Sequence, residues 1–388
     1  MREAVIVSAA RTPVGRVRGA FASVPAYQLG ALAVKEAVKR AAIDPNEIDD
    51  VIFGNLMNNE TNNMARMVGL SAGLPISVPG VTLDRQCGAG LNAIAYAAIL
   101  IQAGYGDVMV AGGVESDSTR CYVMEKPTAA YQVMPPQWAV IHTAPGEMNV
   151  PMGITAENLA EKYKLTREEC DQFSVLSHQK AAKAWDAGYF DSQIVPVEVS
   201  LGKGKTMLVA KDEIVRPETS METLAKLSPA FKKNGVVTAG NSSPLSDGAG
   251  AVVVMEKEKA KAMGLEILAK FKSYAVAGVD PTIMGIGPVE ATRKLLAKTG
   301  MSLNDIDLIE MNEAFAAQSL ACVRELGINM DKLNVNGGAI ALGHPLGGTG
   351  GILVTKIVNE LKRRDLHTGL ITFCIGGGQG IAVLLERE

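Results

Sequence analysis

Asp107–Glu115 reads DVMVAGGVE and Leu370–Gln379 reads LITFCIGGGQ, and these two stretches resemble each other. Each is an apolar run with the length of a buried strand, and each ends in or beside glycines. They stand about 260 residues apart, and self-similarity at such a spacing indicates that one structural unit occurs more than once.

Two further pairs of segments repeat in the same order. Ile43–Asn55 (IDPNEIDDVIFGN) resembles Met301–Glu313 (MSLNDIDLIEMNE), each a capped turn that leads into an apolar run. Cys87–Ile94 (CGAGLNAI) resembles Gly347–Val354 (GGTGGILV), each followed by helical spacing of apolar residues. Because all three pairs have nearly the same offset, we interpret the chain as one ancestral unit copied twice.

The first copy is interrupted by an insertion. In the second copy the glycines run directly into Gly380–Glu388 (GIAVLLERE), whereas the counterpart Gly250–Glu258 (GAVVVMEKE) follows Gly113 only after a long further stretch. This stretch, about 118–247, is richer in Pro, Lys and Glu and contains the helical patterns Thr155–Tyr163 and Arg167–Trp185. It predicts a separate lobe.

Strands that alternate with alanine-rich helices predict an α/β protein with largely parallel sheets buried on both faces. We expect residues 1–117 and 248–268 to form the first half, residues 118–247 the inserted lobe, and residues 269–388 the second half. The two halves should pack together with the lobe on top.

The composition excludes several classes of function. The chain has 388 residues, 47% of them hydrophobic, and a net charge of −3, which fits a globular protein without an overall field for nucleic acid. We found no membrane-spanning run, no signal peptide and no peroxisomal address in Leu385–Glu388 (LERE), and therefore expect a cytoplasmic protein without a membrane partner. Five cysteines without a CxxC pair, and only four histidines, favour neither a disulfide framework nor a metal site.

Cys87 is the first candidate for chemistry. It lies in Leu83–Gly90 (LDRQCGAG), just before the helical stretch Leu91–Gln102. The free N–H groups at a helix start favour a thiolate, so we expect a lowered pKa and a nucleophilic sulfur, with the flanking glycines leaving room for a thioester. The alternative is a packed cysteine near a turn.

His344 is the second candidate, in the segment Asn336–Gly351 (NGGAIALGHPLGGTGG). A neutral imidazole beside a thiol can take its proton as a general base. By the repeat, this segment occupies in the second half the place of the Cys87 segment in the first. If the halves pack about a pseudo-twofold axis, the two segments face each other.

Cys374 and Asn312 complete the set of candidates. Cys374, in Phe373–Gly380 (FCIGGGQG), ends an apolar strand at a glycine-rich turn, where a second thiol can act as acid and base for a different proton. Asn312 begins NEAFA at the end of a repeat-matched strand. Its amide is either a strand-end cap or a group that positions water.

The motifs DRQCGAGL, GNSSPLSDGAG, NEAFA, GGAIALGHPLGGTG and CIGGGQG together resemble those of the thiolases, over essentially the whole chain. The resemblance implies two βαβαβαββ halves in five layers with an inserted loop domain. It also implies that Cys87 becomes acylated, that His344 activates it, and that Cys374 handles the α-proton of acetyl-CoA. Asn312 would hold a water that forms one oxyanion hole with His344, and the N–H groups of Cys87 and Gly376 would form the other.

The implied reaction is CoA-dependent cleavage of a 3-ketoacyl-CoA, or the reverse Claisen condensation, in fatty acid metabolism. Coenzyme A would be a substrate, and no cofactor or metal is expected. Arg216 is expected near the adenosine part of CoA and Ser243 near the pantetheine, although a solvated arginine and a turn serine are the alternatives. The other implied substrate contacts are Phe231, Ala239, Met152 and Phe315. Thiolases form dimers or tetramers by pairing sheet edges, so a homo-oligomer is expected.

Three departures from the family pattern bear on the substrate. Pro151-Met152-Gly153 stands where acetoacetyl-CoA thiolases carry His-Met-Gly, Asp117 replaces a methionine, and Gly348-Thr349 replaces a commoner small pair. The first departure removes a polar wall and favours substrates longer than acetoacetyl-CoA. The region Tyr122–Met148 would then limit the acyl chain.

The sequence allows three alternative functions to be compared with its motifs. One is an acetoacetyl-CoA-specific acetyltransferase. A ketosynthase of the same duplicated fold would replace the second cysteine by His or Asn, and Cys374 argues against it. A non-catalytic lipid carrier would have lost Cys87 or His344, and both are present.

Overall fold

The computed structural model describes residues 2–58, 60–124 and 142–388. In the first half, the strands and helices alternate in chain order: β1 (Ala4–Arg11), β2 (Gly15–Arg16), α1 (Ala26–Ala41), β3 (Asp50–Gly54), α2 (Met64–Ser71), β4 (Gly80–Leu83), α3 (Ala89–Ala103) and β5 (Val108–Ser116).

The insertion contributes two longer helices, a hairpin and a short helix: α4 (Met152–Tyr163), α5 (Arg167–Asp186), β6 (Val197–Gly202), β7 (Lys205–Val209) and α6 (Met221–Ala225). The chain then returns to the first half and continues into the second with β8 (Ser246–Glu256), α7 (Lys257–Ala262), β9 (Ala269–Gly278), α8 (Gly287–Thr299), β10 (Leu308–Met311), α9 (Ala316–Leu326), α10 (Ala339–Leu342), α11 (Thr349–Arg364), β11 (Thr368–Ile375) and β12 (Gln379–Glu386).

The sheet topology repeats, as the sequence predicts. The first half has the strand order β4-β3-β5-β8-β1, and the second has β10-β11-β12-β9. In the first half β3 pairs in parallel with β4 and β5, and β8 pairs antiparallel with β5 and β1. In the second half β10 pairs in parallel with β11, and β12 pairs antiparallel with β11 and β9. A single parallel bridge from Ile309 to Leu333 stands where β4 stands in the first half. Two residue pairs between β1 and β9 join the strands of the two halves into one continuous sheet.

The helices and sheets form five layers, and three apolar clusters pack these layers together. One cluster lies between α1, α2 and the outer face of the first sheet, and another lies between the second sheet and α8 and α9. The central cluster contains α3 and α11, with Leu91 and Leu353 among side chains from both sheets. The five-layer duplicated fold is therefore confirmed, and α3 and α11 form its middle layer.

Two expectations about the architecture are wrong. The sheets are mixed and not largely parallel, because the tight glycine turn Gly376–Gly378 folds β12 back antiparallel onto β11. The insertion is not a separate lobe, since Leu159 of α4 and Phe173 of α5 belong to the same apolar cluster as Leu370 of β11. The domain limits themselves stay a prediction.

The window Gln86–Ala103 has the length and composition of a membrane span, although the sequence analysis found none. This window contains α3 of the central layer and 61% of it is buried inside the protein, so it is weak evidence for a membrane span. Most of the region expected to limit the acyl chain, residues 125–141, lies outside the described residues.

Candidate active site

The beginnings of α3 and α11 face each other in the central layer. A Cβ on Gly90 would lie 2.2 Å from the carbonyl oxygen of Gly347, so the two backbones touch where any side chain would separate them. The Cys87 and His344 segments precede these helices. The expected juxtaposition of the two repeated segments is thus present.

Cys87 sits in a sharp turn before α3. Gln86 adopts a left-handed conformation with φ of 47°, which is uncommon for a residue with a side chain and occurs often at functional sites. Gly88, the N-cap of α3, packs against β11, since a Cβ there would lie 2.5 Å from Cδ1 of Ile375. Gly88 and Gly90 therefore serve close packing, and the expectation that they leave room for a thioester is wrong.

The expected low pKa of Cys87 is also wrong. Burial raises the pKa of this thiol to about 11, and hydrogen bonds from the backbone N–H groups of Gly376 and of Cys87 itself lower it only in part. The nearby carboxylates of Glu115 and Asp84 raise it further. Because desolvation outweighs the helix start, Cys87 rests as a neutral thiol and needs a base.

His344 lies in the turn between α10 and α11 and is buried. Its Nδ1 lies 2.7 Å from Oγ1 of Thr349, and its backbone N–H donates to Oγ of Ser246 at 3.2 Å. Its Nε2 is buried and has no hydrogen-bond partner within residues 2–58, 60–124 and 142–388. Burial lowers the pKa of this imidazole to about 4, so at neutral pH it is uncharged and has a free nitrogen to accept a proton.

Asn312 and Cys374 lie at the same edge of the second sheet. The N–H of Asn312 donates to Thr372 of β11 at 3.1 Å, and Cys374 follows two residues later on that strand. Both polar atoms of the Asn312 side chain are buried without a partner in the described part of the chain, so the amide caps no strand end there. Burial and the nearby thiols of Cys87 and Cys322 raise the pKa of Cys374 well above its usual value.

Two buried carboxylates hold the His344 segment on either side. Glu115, at the end of β5, accepts hydrogen bonds from the N–H groups of Gly347, Leu56 and Met57 at 3.1, 3.1 and 2.8 Å. Glu313 accepts from Ile340 of α10 at 3.2 Å. Sequence reasoning assigned neither of these roles, although an acidic residue at the end of a buried strand is a detectable signal in both motifs.

Four of the six expected substrate contacts lie near one another. The Phe231 ring is 6.1 Å from that of Phe315 and packs on Gly153, the residue after Met152. Ser243 donates its N–H to Ala314 at 2.9 Å, beside Phe315. The cluster around Cys374 includes Met152 and Phe315.

The other two expected contacts, Arg216 and Ala239, are exposed. The N–H of Arg216 donates to Nδ1 of His178 at 3.2 Å. Neither residue belongs to the apolar cluster around Cys374.

Comparison with known proteins places the chain in a family. The description "Thiolase, N-terminal domain" matches residues 4–258, and "Thiolase, C-terminal domain" matches residues 265–387. The chain belongs to the thiolase family. As a thiolase it is an acyltransferase enzyme, which sets aside the lipid-carrier alternative.

Two curated thiolases are similar over their whole length. An acetyl-CoA acetyltransferase of Pseudomonas aeruginosa is 48% identical over 393 residues, and a 3-ketoacyl-CoA thiolase of Bacillus subtilis is 49% identical over 397 residues, with 100% of each chain covered in both cases. Human mitochondrial 3-ketoacyl-CoA thiolase in complex with CoA superposes with a TM-score of 0.94 at 41% identity, covering 100% of this thiolase and 98% of that chain. Among the described residues, no group of three or more His, Cys, Asp or Glu side chains is placed to hold a metal ion.

Proposed function

We propose that this thiolase cleaves 3-ketoacyl-CoA with coenzyme A to acetyl-CoA and a shortened acyl-CoA, through an acyl group on Cys87. The observation that supports it is a set of buried polar atoms without partners. Nε2 of His344 and both side-chain polar atoms of Asn312 have no hydrogen-bond partner among the described residues. Since buried polar groups are nearly always paired, these atoms fit a site that a substrate or water oxygen completes.

Acyl transfer begins with proton transfer from Cys87 to Nε2 of His344, because the thiol rests neutral. The thiolate attacks the 3-keto carbon, and the carbon–carbon bond to the acetyl part breaks. The N–H groups of Cys87 and Gly376 point at the Cys87 sulfur, so they are suited to stabilise the oxygen on the carbon bound to it.

The departing acetyl-CoA enolate needs a proton and a partner for its oxygen. Cys374, whose raised pKa keeps it in the thiol form, gives its proton to the enolate carbon. His344, now protonated, and a water held by Asn312 are the donors to the enolate oxygen. The Cys374 thiolate then takes the proton of CoA, whose sulfur attacks the acyl group, and Cys87 recovers its proton from His344.

The preference for acyl chain length can be tested at Pro151. This residue is exposed at the start of α4, beside Met152 of the apolar cluster around Cys374. Each further methylene in an apolar tunnel is worth about 0.8 kcal/mol, or about fourfold. We expect kcat/KM for CoA-dependent loss of the 3-ketoacyl-CoA absorbance to rise from the four-carbon to the six- and eight-carbon substrates.

The Pro151→His variant should reverse this order by restoring a polar group, and Pro151→Ala, which removes the ring only, should keep it. A steep fall from four to six carbons in the unmodified enzyme would instead identify an acetoacetyl-CoA acetyltransferase. Absence of CoA-dependent cleavage at every length would contradict the proposed reaction itself.

We propose further that CoA enters past Phe231, with Ser243 beside its pantetheine and Arg216 near its adenosine part. Phe231 is 44% exposed although it packs on Gly153 and Phe315, as expected for a ring at the mouth of a tunnel. Arg216→Ala should then raise KM for CoA and leave kcat unchanged. An unchanged KM would contradict the proposed contact between Arg216 and CoA.

The chain is also proposed to form a homo-oligomer through the edge of its first sheet. In the described part of the chain, β4 pairs only with β3, and it carries Val81, which is 41% exposed, near Ile76, which is 85% exposed. At the opposite edge of the sheet, the segment at Leu333 pairs with Ile309 of β10. An open apolar edge of this kind is suited to pairing with a second copy.

We expect sedimentation velocity to give two or four times the 40.8 kDa of the chain. Val81→Lys should shift the enzyme to monomers, because a charged edge opposes pairing. Leu208→Lys, at an exposed apolar position of the β7 hairpin strand, is the control and should not. A monomeric unmodified enzyme, or an unaffected Val81→Lys variant, would contradict the proposed interface.

A further inference from the structure

We propose that Thr349 is a positioning residue that fixes the tautomer of His344, so that Nε2 is the unprotonated nitrogen that faces the substrate. The proposal rests on the role of His344 in the proposed function. It starts from two hydrogen bonds that share one hydroxyl oxygen. Oγ1 of Thr349 lies 2.7 Å from Nδ1 of His344 and 3.2 Å from the carbonyl oxygen of Pro345.

The hydroxyl has a single proton, and only one arrangement satisfies both contacts. The carbonyl of Pro345 can only accept, so the hydroxyl donates to it, as threonine commonly does to the carbonyl four residues earlier in a helix. Nδ1 of His344 must then carry a proton and donate it to Oγ1. In the opposite arrangement the hydroxyl would donate to Nδ1 and lose its bond to Pro345.

This arrangement leaves the lone pair of His344 on Nε2. Nε2 is the ring nitrogen that is buried without a partner in the part of the chain that the structure describes. A nitrogen with a lone pair can take the proton of Cys87, whereas a protonated one cannot. When Nε2 gains that proton, Nδ1 still donates to Thr349 and the hydroxyl still donates to Pro345, so the network need not rearrange during the reaction.

The backbone around the pair is fixed as well. The N–H of Thr349 donates to Pro345 at 3.0 Å, and the N–H of His344 donates to Oγ of Ser246. Both His344 and Thr349 are almost fully buried, at 6% and 2% exposure. Because water has little access to Nδ1, the threonine hydroxyl is its acceptor, and removal of that hydroxyl leaves a buried N–H unpaired.

The test compares Thr349→Val with Thr355→Val. Thr355 lies on the same helix, is equally buried, and donates its hydroxyl to Gly351 at 2.8 Å, so the control loses the same kind of bond away from His344. We expect Thr349→Val to slow acylation of Cys87 by acetoacetyl-CoA by about 10- to 100-fold with little change in KM. Thr349→Ser, which keeps the hydroxyl, should restore most of the rate, and Thr355→Val should stay near the unmodified rate.

A second measurement reads the tautomer directly. In protein labelled with ¹⁵N-histidine at neutral pH, His344 should show a protonated Nδ1 and an unprotonated Nε2, with the signals assigned by loss in His344→Asn. A protonated Nε2, or a Thr349→Val variant as fast as Thr355→Val, would overturn the proposal. Neither result would remove the proposed reaction, which fails if the unmodified enzyme does not acylate Cys87 or shows no CoA-dependent cleavage.

Discussion

The Cys87→Ser variant is expected to form no acyl-enzyme and to lose at least about 10⁴-fold in kcat, because the sulfur of Cys87 is the nucleophile that carries the acyl group in the proposed reaction. In the unmodified protein, incubation with acetoacetyl-CoA should leave an acetyl group on the peptide that contains Cys87. Mass spectrometry of the digested protein measures the adduct. The serine variant should carry none there.

The control for this experiment is Cys121→Ser, since Cys121 is an exposed free thiol outside the site. Surface acylation of Cys121 would survive in Cys87→Ser and disappear in Cys121→Ser, while activity should follow Cys87 alone. An active Cys87→Ser variant whose adduct lies on Cys121 or Cys170 would end the assignment of Cys87.

The repeated pattern of the sequence predicts much of the fold. Each repeated stretch forms a strand or helix at the corresponding place, such as β5 and β11, or α3 and α11. Strand direction was harder to predict, because a glycine turn that reverses the chain between β11 and β12 looks in the sequence like the end of any buried strand.

The sequence predicts which residues form the candidate site, but it does not predict how burial shifts the pKa of the Cys87 thiol. A helix start favours the thiolate, but burial of Cys87 raises the pKa of its thiol by more than the backbone N–H groups lower it. The sequence does not report burial at this detail. The hydrogen bond between His344 and Thr349 joins residues five apart in a glycine-rich turn, where no periodic pattern indicates which side chains meet.

The Cys374→Ser variant separates the two thiols. It should still acylate Cys87 from an acyl-CoA, because Cys87 and His344 remain and the CoA thiolate can leave without a proton from Cys374, but its turnover should fall by about 10²-fold or more, as expected for loss of a general acid–base. A serine hydroxyl is a far weaker acid than a thiol and gives up no proton to the enolate carbon. Deuterium exchange into the acetyl methyl group of acetyl-CoA, measured by NMR, should fall with turnover.

Cys322→Ser is the matched control, because Cys322 is a buried thiol whose closeness raises the pKa of Cys374. Cys322 donates to the carbonyl of Gly285 at 3.2 Å, a bond that a serine can also make, so this variant should keep both turnover and exchange. If exchange persisted in Cys374→Ser and fell in Cys322→Ser, the α-proton would pass through the second buried thiol. If exchange persisted in both variants, the base would be neither cysteine, and His344 would be the next candidate, since its Nε2 has no partner among the described residues.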